Sequence, residues 1–153
     1  MKTLGKKSVV KHDLEKAIPF LLARAGARMG NAFAKALKAY GLSLSEWRVC
    51  ASLQHTPGQA LSELAAHIAT DLSALSRIID RLVALDLVVR EKSAVDGRSV
   101  RISLSASGQA LASDITPLAQ HYEAVALSDF SADEVKTLRA MLTRLYRNAT
   151  PLA

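Results

Sequence analysis

Apolar residues recur at helical spacing along most of the chain and at period two in one short stretch. From Asp13, the positions Leu14, Ala17, Ile18, Leu21, Leu22 and Ala25 follow a helical stripe that Met29, Phe33 and Leu37 extend to Gly41, where a helix would stop. A helix of that span is ~40 Å long, more than a small domain needs for its own core, so part of it is read as an intersubunit element. Ser43-Leu44-Ser45-Glu46 is a capping box that opens a helix through Leu53, ended by Pro57-Gly58. LSELAAHI, residues 61–68, predicts a short helix. Thr70-Asp71 then caps another, with Leu72, Leu75, Ile78, Ile79 and Leu82 apolar and an end near Leu85-Asp86. Ser105 or Ser107 opens a helix over 107–127, with a bend expected at Pro117. A second capping box, Ser131 to Glu134, starts a last helix through Tyr146, with Leu138, Met141, Leu142 and Leu145 on one face.

The exception is SAVDGRSVRISLSASG, residues 93–108. Val100-Arg101-Ile102-Ser103-Leu104 alternates apolar with polar behind an Asp96-Gly97 turn, which predicts a β-hairpin with arms Leu87–Glu91 and Arg98–Leu104. Short helix, turn, helix, hairpin is the order of a winged helix-turn-helix. The predicted fold is mainly α with a small β-wing. It comprises a loose basic arm at 1–12, a winged helix-turn-helix DNA-binding region at 41–106, and a long-helix dimerisation region formed by 13–40 and 107–153.

Charge then narrows the function. Lys plus Arg number 20 against 14 Asp plus Glu, a net charge of +6, which points to a polyanionic partner. Half the residues are hydrophobic, which excludes wholesale disorder. The single cysteine, Cys50, excludes an internal disulfide. No run approaches ~18 apolar residues, so no membrane partner is expected. The basic start lacks an apolar stretch and a cleavage site, so a cytoplasmic location is expected. No phosphate-binding glycine loop, nucleophile elbow or HExxH motif is present, so an enzyme with catalytic residues is not expected. His12, His55, His67 and His121 lack metal-ligand spacing, and neither metal nor cofactor is assigned.

A helix entering the major groove presents small polar and basic residues near its N-terminus. Ser73, Ser76 and Arg77 fit that description; Arg77 is suited to guanine or to a phosphate, and Arg81, one turn on, to the DNA backbone. Arg98, just past the hairpin turn, suits the minor groove. Asp96 is assigned to orienting an arginine, either Arg98 or one on the recognition helix, alongside its role in the turn.

Residues 61–108 resemble the DNA-binding core of the MarR family of bacterial transcription regulators. The features are the "ELA" helix, Ser76-Arg77 before "DRL", "LVVRE", Asp96-x-Arg98 and "ISLSASG". The flanking helices resemble the family's dimerisation region. The resemblance implies a homodimer on a pseudo-palindromic double-stranded DNA operator, acting as a repressor that a small-molecule effector releases. Two departures stand out: Asp86 replaces the usual glycine, and Ser76 and Ser105 stand where threonine is common. Many relatives hold aromatic acids between dimerisation helices and winged region. Arg24, Arg28 and Trp47 are the candidate lining for an anionic aromatic or its thioester. Alternatives are a regulator with no small-molecule input, a redox-responsive one acting through Cys50 (whose apolar context reads as an inert thiol), or a dimeric protein-binding scaffold.

Overall fold

The computed structural model describes residues 11–152, so the arm expected at 1–12 lies almost wholly outside them. The chain divides into two compact units, one ending at Leu44 and the other beginning at Ser45.

In the first unit the stripe expected as one helix over 13–40 is divided. A 3-10 turn at Leu14–Lys16 leads to extended Ala17 (ψ 119°), and helix α1 then runs over Ile18–Leu37. Pro19 explains the break. Its missing N–H costs nothing in a first turn, but its ring would clash with the carbonyl four residues back if the helix began earlier. Phe33 and Leu37 are buried, whereas Ile18, Leu21, Leu22 and Met29 are exposed. A 3-10 turn at Lys38–Tyr40 ends at Gly41, whose φ of 69° is left-handed, so the expected stop is where the glycine stands.

The second unit follows the expected order. It holds α2 (Leu44–His55, whose first residue lies in the other unit), α3 (Leu61–His67), α4 (Leu72–Ala84), strands β1 (Val88–Lys92) and β2 (Val100–Leu104), α5 (Ala106–Ala126) and α6 (Ala132–Ala149). The strands are antiparallel, with Val88 opposite Leu104 and Lys92 opposite Val100. Gln59 adds a third partner by exchanging backbone bonds with Ile102, at 3.1 and 2.8 Å. The core draws Val49 and Leu53 from α2, Leu64 from α3, and Leu75, Ile79 and Leu82 from α4. Val88, Ile102 and Ile115 complete it, all buried. No helix among the described residues is long and apolar enough to cross a membrane.

Local chemistry sets the ends. Asp71 Oδ1 accepts the Ala74 N–H at 2.8 Å and caps α4. Of the two serines offered for α5, Ser105 is the cap, accepting from the Gly108 N–H at 3.0 Å. Ser131 and Glu134 form the expected capping box of α6. Pro117 sits inside α5, which continues to Ala126.

Helix α4 ends in a Schellman motif: Leu87 N–H bonds Leu82 O, Asp86 N–H bonds Val83 O, and Asp86 turns left-handed at φ 58°. This is the place where glycine is usual in the resemblance. Helix α3 ends the same way, through Thr70 to Ala65, Ala69 to Ala66, and Ala69 at φ 54°. Gly108 is required for a different reason. A Cβ there would lie 1.9 Å from Leu87 O, so only glycine lets the first turn of α5 meet the chain entering β1.

Candidate nucleic-acid interface

Helix α4 is amphipathic, and its buried face fixes which side chains remain outside. Arg77 is exposed and Ser76 half-buried. Ser73 is exposed, and its hydroxyl donates to Asp71 Oδ1 at 2.8 Å, leaving its oxygen able to accept. The same carboxylate takes the Ala74 N–H, and these bonds hold the Asp71 carboxyl below its ordinary range, so the helix opens on a fixed anion.

The arginines of α4 and the wing separate into two groups. Arg81, expected to meet the DNA backbone, bonds through Nε to Glu46 Oε1 of α2 at 2.5 Å; Glu46 is buried. Arg90 of β1 pairs with Asp80 of α4. Arg101 of β2 pairs with Glu63 of α3, Nη1 to Oε2, at 2.9 Å. By contrast, no acid lies within ion-pair distance of Arg77 or Arg98 among the described residues.

The wing differs in detail from the expected hairpin. β2 starts at Val100 rather than Arg98, because residues 93–99 form their own turn. Ser93 N–H bonds Ser99 O at 2.8 Å, Asp96 O accepts from Ser99 N–H at 3.1 Å, and the Ser93 hydroxyl accepts from the Asp96 N–H at 3.3 Å. Gly97 needs no left-handed backbone there. Asp96 Oδ1 accepts the backbone N–H of Arg98 at 3.1 Å. Its link to Arg98 thus runs through the main chain, an Asx turn, and not through the guanidinium.

The candidate effector residues are placed as follows. Arg24, on α1, bonds Glu15 at 3.0 Å and lies over the Phe20 ring, 5.3 Å from its centroid. Arg28 is exposed one turn on, and Trp47 is buried on α2. Cys50 is buried, and burial first, then the nearby Glu46 charge, push its thiol up to about 11. At neutral pH its thiolate fraction is therefore roughly one in 10⁴, which disfavours the redox alternative.

Sequence reasoning missed the acids. Glu46 reads only as part of a capping box, and Glu63 and Asp80 only as part of the family features, yet each holds an arginine of another element. Glu63 also carried a local signal, since its position in the first turn of α3 lets it reach back to the Ala60 N–H at 2.8 Å. The histidines were also judged by spacing alone. The ends of α2 and α3 bring His55 and His67 together, ring centroids 6.1 Å apart, with His67 Nδ1 2.5 Å from Ser52 Oγ. No cluster of three or more metal-ligating side chains occurs among the described residues.

This arrangement has known counterparts. The model of the MarR family matches residues 40–99. The HTH-type transcriptional repressor Rv2887 of Mycobacterium tuberculosis is 30% identical over 126 residues, 82% of this chain and 91% of its own. A MarR family transcriptional regulator from Silicibacter pomeroyi superposes with a TM-score of 0.84 at 25% identity, over 90% of this chain and 93% of that one. Bordetella bronchiseptica BpsR, whose DNA binding is regulated by 6-hydroxynicotinic acid, shares the fold with a TM-score of 0.79 at 20% identity, over 89% and 97% of the two chains. The family-model match and the 30% identity to the Mycobacterium tuberculosis repressor over 82% of the chain make this chain a member of the MarR family of transcription regulators.

Proposed function

We propose that the protein is a dimeric, sequence-specific DNA-binding repressor that places α4 in the major groove and Arg98 in the adjacent minor groove. The observation that carries this reading is the division of the arginines. Arg81, Arg90 and Arg101 are held by acids of the same chain, whereas Arg77 and Arg98 stand exposed without an ion-pair partner among the described residues. Two exposed guanidiniums on a helix and a wing tip match the needs of base-edge and narrow-groove contact. Ser73 and Ser76 flank Arg77 as groove-facing hydroxyls, and Asp96 sets the backbone of Arg98. Arg81 serves the recognition helix through Glu46. Dimerisation through 13–40 and 107–153 is supported by the exposed apolar side chains Ile18, Leu21, Met141 and Leu145. It sets two copies of α4 on half-sites of a pseudo-palindrome, about 10 bp apart.

Release by a small anionic aromatic rests on likeness to BpsR and, within the first unit, on the cations Arg24 and Arg28, one helical turn apart on α1. The test starts with duplexes selected from random DNA by the full chain. Their affinity is expected to fall roughly 10³–10⁵-fold between 50 and 200 mM salt, as for 6–10 phosphate contacts. Arg77→Ala is expected to cost about 1–3 kcal/mol and to relax preference at one base position. Failure to select any duplex, with a partner protein captured instead, favours the scaffold alternative. Aromatic acids are then screened for release of the selected duplex.

A further inference from the structure

We propose that Glu63 and Asp80 are positioning residues for DNA binding, each holding one strand of the wing at the angle from which Arg98 reaches DNA. The inference rests on the DNA-binding reading above. The two acids come from the two helices of the helix-turn-helix, and their arginines from the two strands of the wing. Asp80 of α4 holds Arg90 of β1, and Glu63 of α3 holds Arg101 of β2. Glu63 does this with an oxygen already fixed. Its Oε2 accepts the Ala60 N–H at 2.8 Å and Arg101 Nη1 at 2.9 Å, so the first turn of α3 and the middle of β2 share one atom. One residue along, Ile102 is clasped by the backbone of Gln59. The Gln59 side chain is buried and donates to Ser52 O at 3.0 Å and Thr56 O at 2.8 Å at the end of α2. The base of the wing is therefore held on both strands, while its tip is held only by its own turn.

The magnitudes assign these pairs to orientation. Both are substantially exposed, with side-chain exposures of 39% and 57% for Arg101 and Glu63, and 40% and 63% for Arg90 and Asp80. Exposed pairs add little to stability, so the fold survives their loss. The tip is more sensitive. Arg98 lies three residues from Arg101, at most ~10 Å along the backbone at strand rise, so a tilt of about 10° at the base moves it by up to about 2 Å. That exceeds the tolerance of a hydrogen bond.

The experiment compares Glu63→Gln and Asp80→Asn with wild type on one selected duplex at one salt concentration. Gln at 63 keeps an oxygen for the Ala60 N–H, and circular dichroism checks folding. Simple electrostatics expects tighter binding, because each change removes an anion from a DNA-binding region. Positioning expects binding about three- to tenfold weaker, the scale of an exposed ion pair counted in two wings. In an Arg98→Ala background the loss is expected to vanish, because there is no guanidinium left to aim. Arg101→Gln and Arg90→Gln break the same pairs from the other side and are expected to be non-additive with the acid variants. Unchanged or tighter binding by the acid variants, additivity within a pair, or a loss that persists without Arg98 overturns the proposal while the DNA-binding reading stands. A wild-type chain that selects no duplex overturns both.

Discussion

Helices α4 and α6 carry the same kind of sequence and meet opposite fates. Both are amphipathic, with leucines at helical spacing and a sound N-cap. In α4, Leu75, Ile79 and Leu82 are fully buried. In α6 no residue is buried, and Met141, Leu142 and Leu145 remain exposed at 53, 41 and 40%. Periodicity dictates that a face is made to be covered; it does not say by what. For α4 the cover lies within the second unit, where it packs against α3 and β1. For α6 there is a bond from the Tyr146 hydroxyl to the Ala66 carbonyl, and its apolar face stays exposed among the described residues. The apolar face of α4 is thus finished within one copy, whereas under the proposed dimer that of α6 meets a second.

That contrast breaks if the two faces respond alike to truncation. Leu75→Ala is expected to cost about 2–5 kcal/mol, the range for a fully buried leucine, at any protein concentration. Leu142→Ala is expected to act through association, so its effect on the urea midpoint grows as the protein is diluted toward monomer. Urea unfolding at 1 and 50 µM, with light scattering, checks both. Equal and concentration-independent losses would place α6 in the core of its own copy.

The next test concerns the joint where the winged region passes into α5. Gly108→Ala forces a Cβ onto the Leu87 carbonyl, and since that neighbour is backbone it cannot rotate away. A loss at the upper end of overpacking effects, about 3 kcal/mol, is expected in thermal or urea unfolding. Smaller and pH-dependent is the effect of Cys50. Its folded pKa of about 11 lies above the ordinary 9.0, so its contribution is complete below pH 9 and is lost as pH rises through 11. Between pH 8 and 10 wild type should lose about 1 kcal/mol relative to Cys50→Ala, which has no thiol to ionise. Native Cys50 should also resist alkylation at pH 7 and react once urea unfolds the chain.

What the sequence disclosed divides along similar lines. The helices, the wing and the caps at Asp71, Ser105 and Ser131 were legible because each is decided within a few residues. The start of α1 was misplaced because the apolar stripe was followed across Pro19, which sets where the helix begins. The strand boundary at Val100 was missed because the Asp-Gly pair suggested a tighter turn than the one that Ser93, Asp96 and Ser99 build. Glu46 with Arg81, and Glu63 with Arg101, lie 35 and 38 residues apart, and nothing local marks such partners. Only three-dimensional structure could separate the arginines that hold the protein from those left for a ligand.

The smallest expected effects lie at the helix ends, where the same contrast reappears. Helix α6 runs out into a 3-10 turn at Thr150–Leu152, while α3 and α4 each stop on a left-handed residue that is not glycine. The two stops should not respond equally to glycine. Ala69 has no side-chain group to compensate for left-handed backbone, a conformation costing roughly 1–2 kcal/mol for an L-residue. Glycine there removes that cost and returns part of it through the greater freedom of the unfolded chain, leaving a gain of about 0.5–1 kcal/mol. Asp86 belongs to the residue type that tolerates this region better, so the same exchange should be worth at most about 0.5 kcal/mol. Yet Asp86 precedes the wing, and its carbonyl accepts the Ser105 hydroxyl at 2.5 Å. The informative comparison is therefore stability against DNA affinity for both variants. If Asp86→Gly binds DNA as wild type does while Ala69→Gly gains more stability, Asp86 is a tolerated substitute for glycine. If Asp86→Gly alters affinity without altering stability, the residue at the end of α4 helps set the wing.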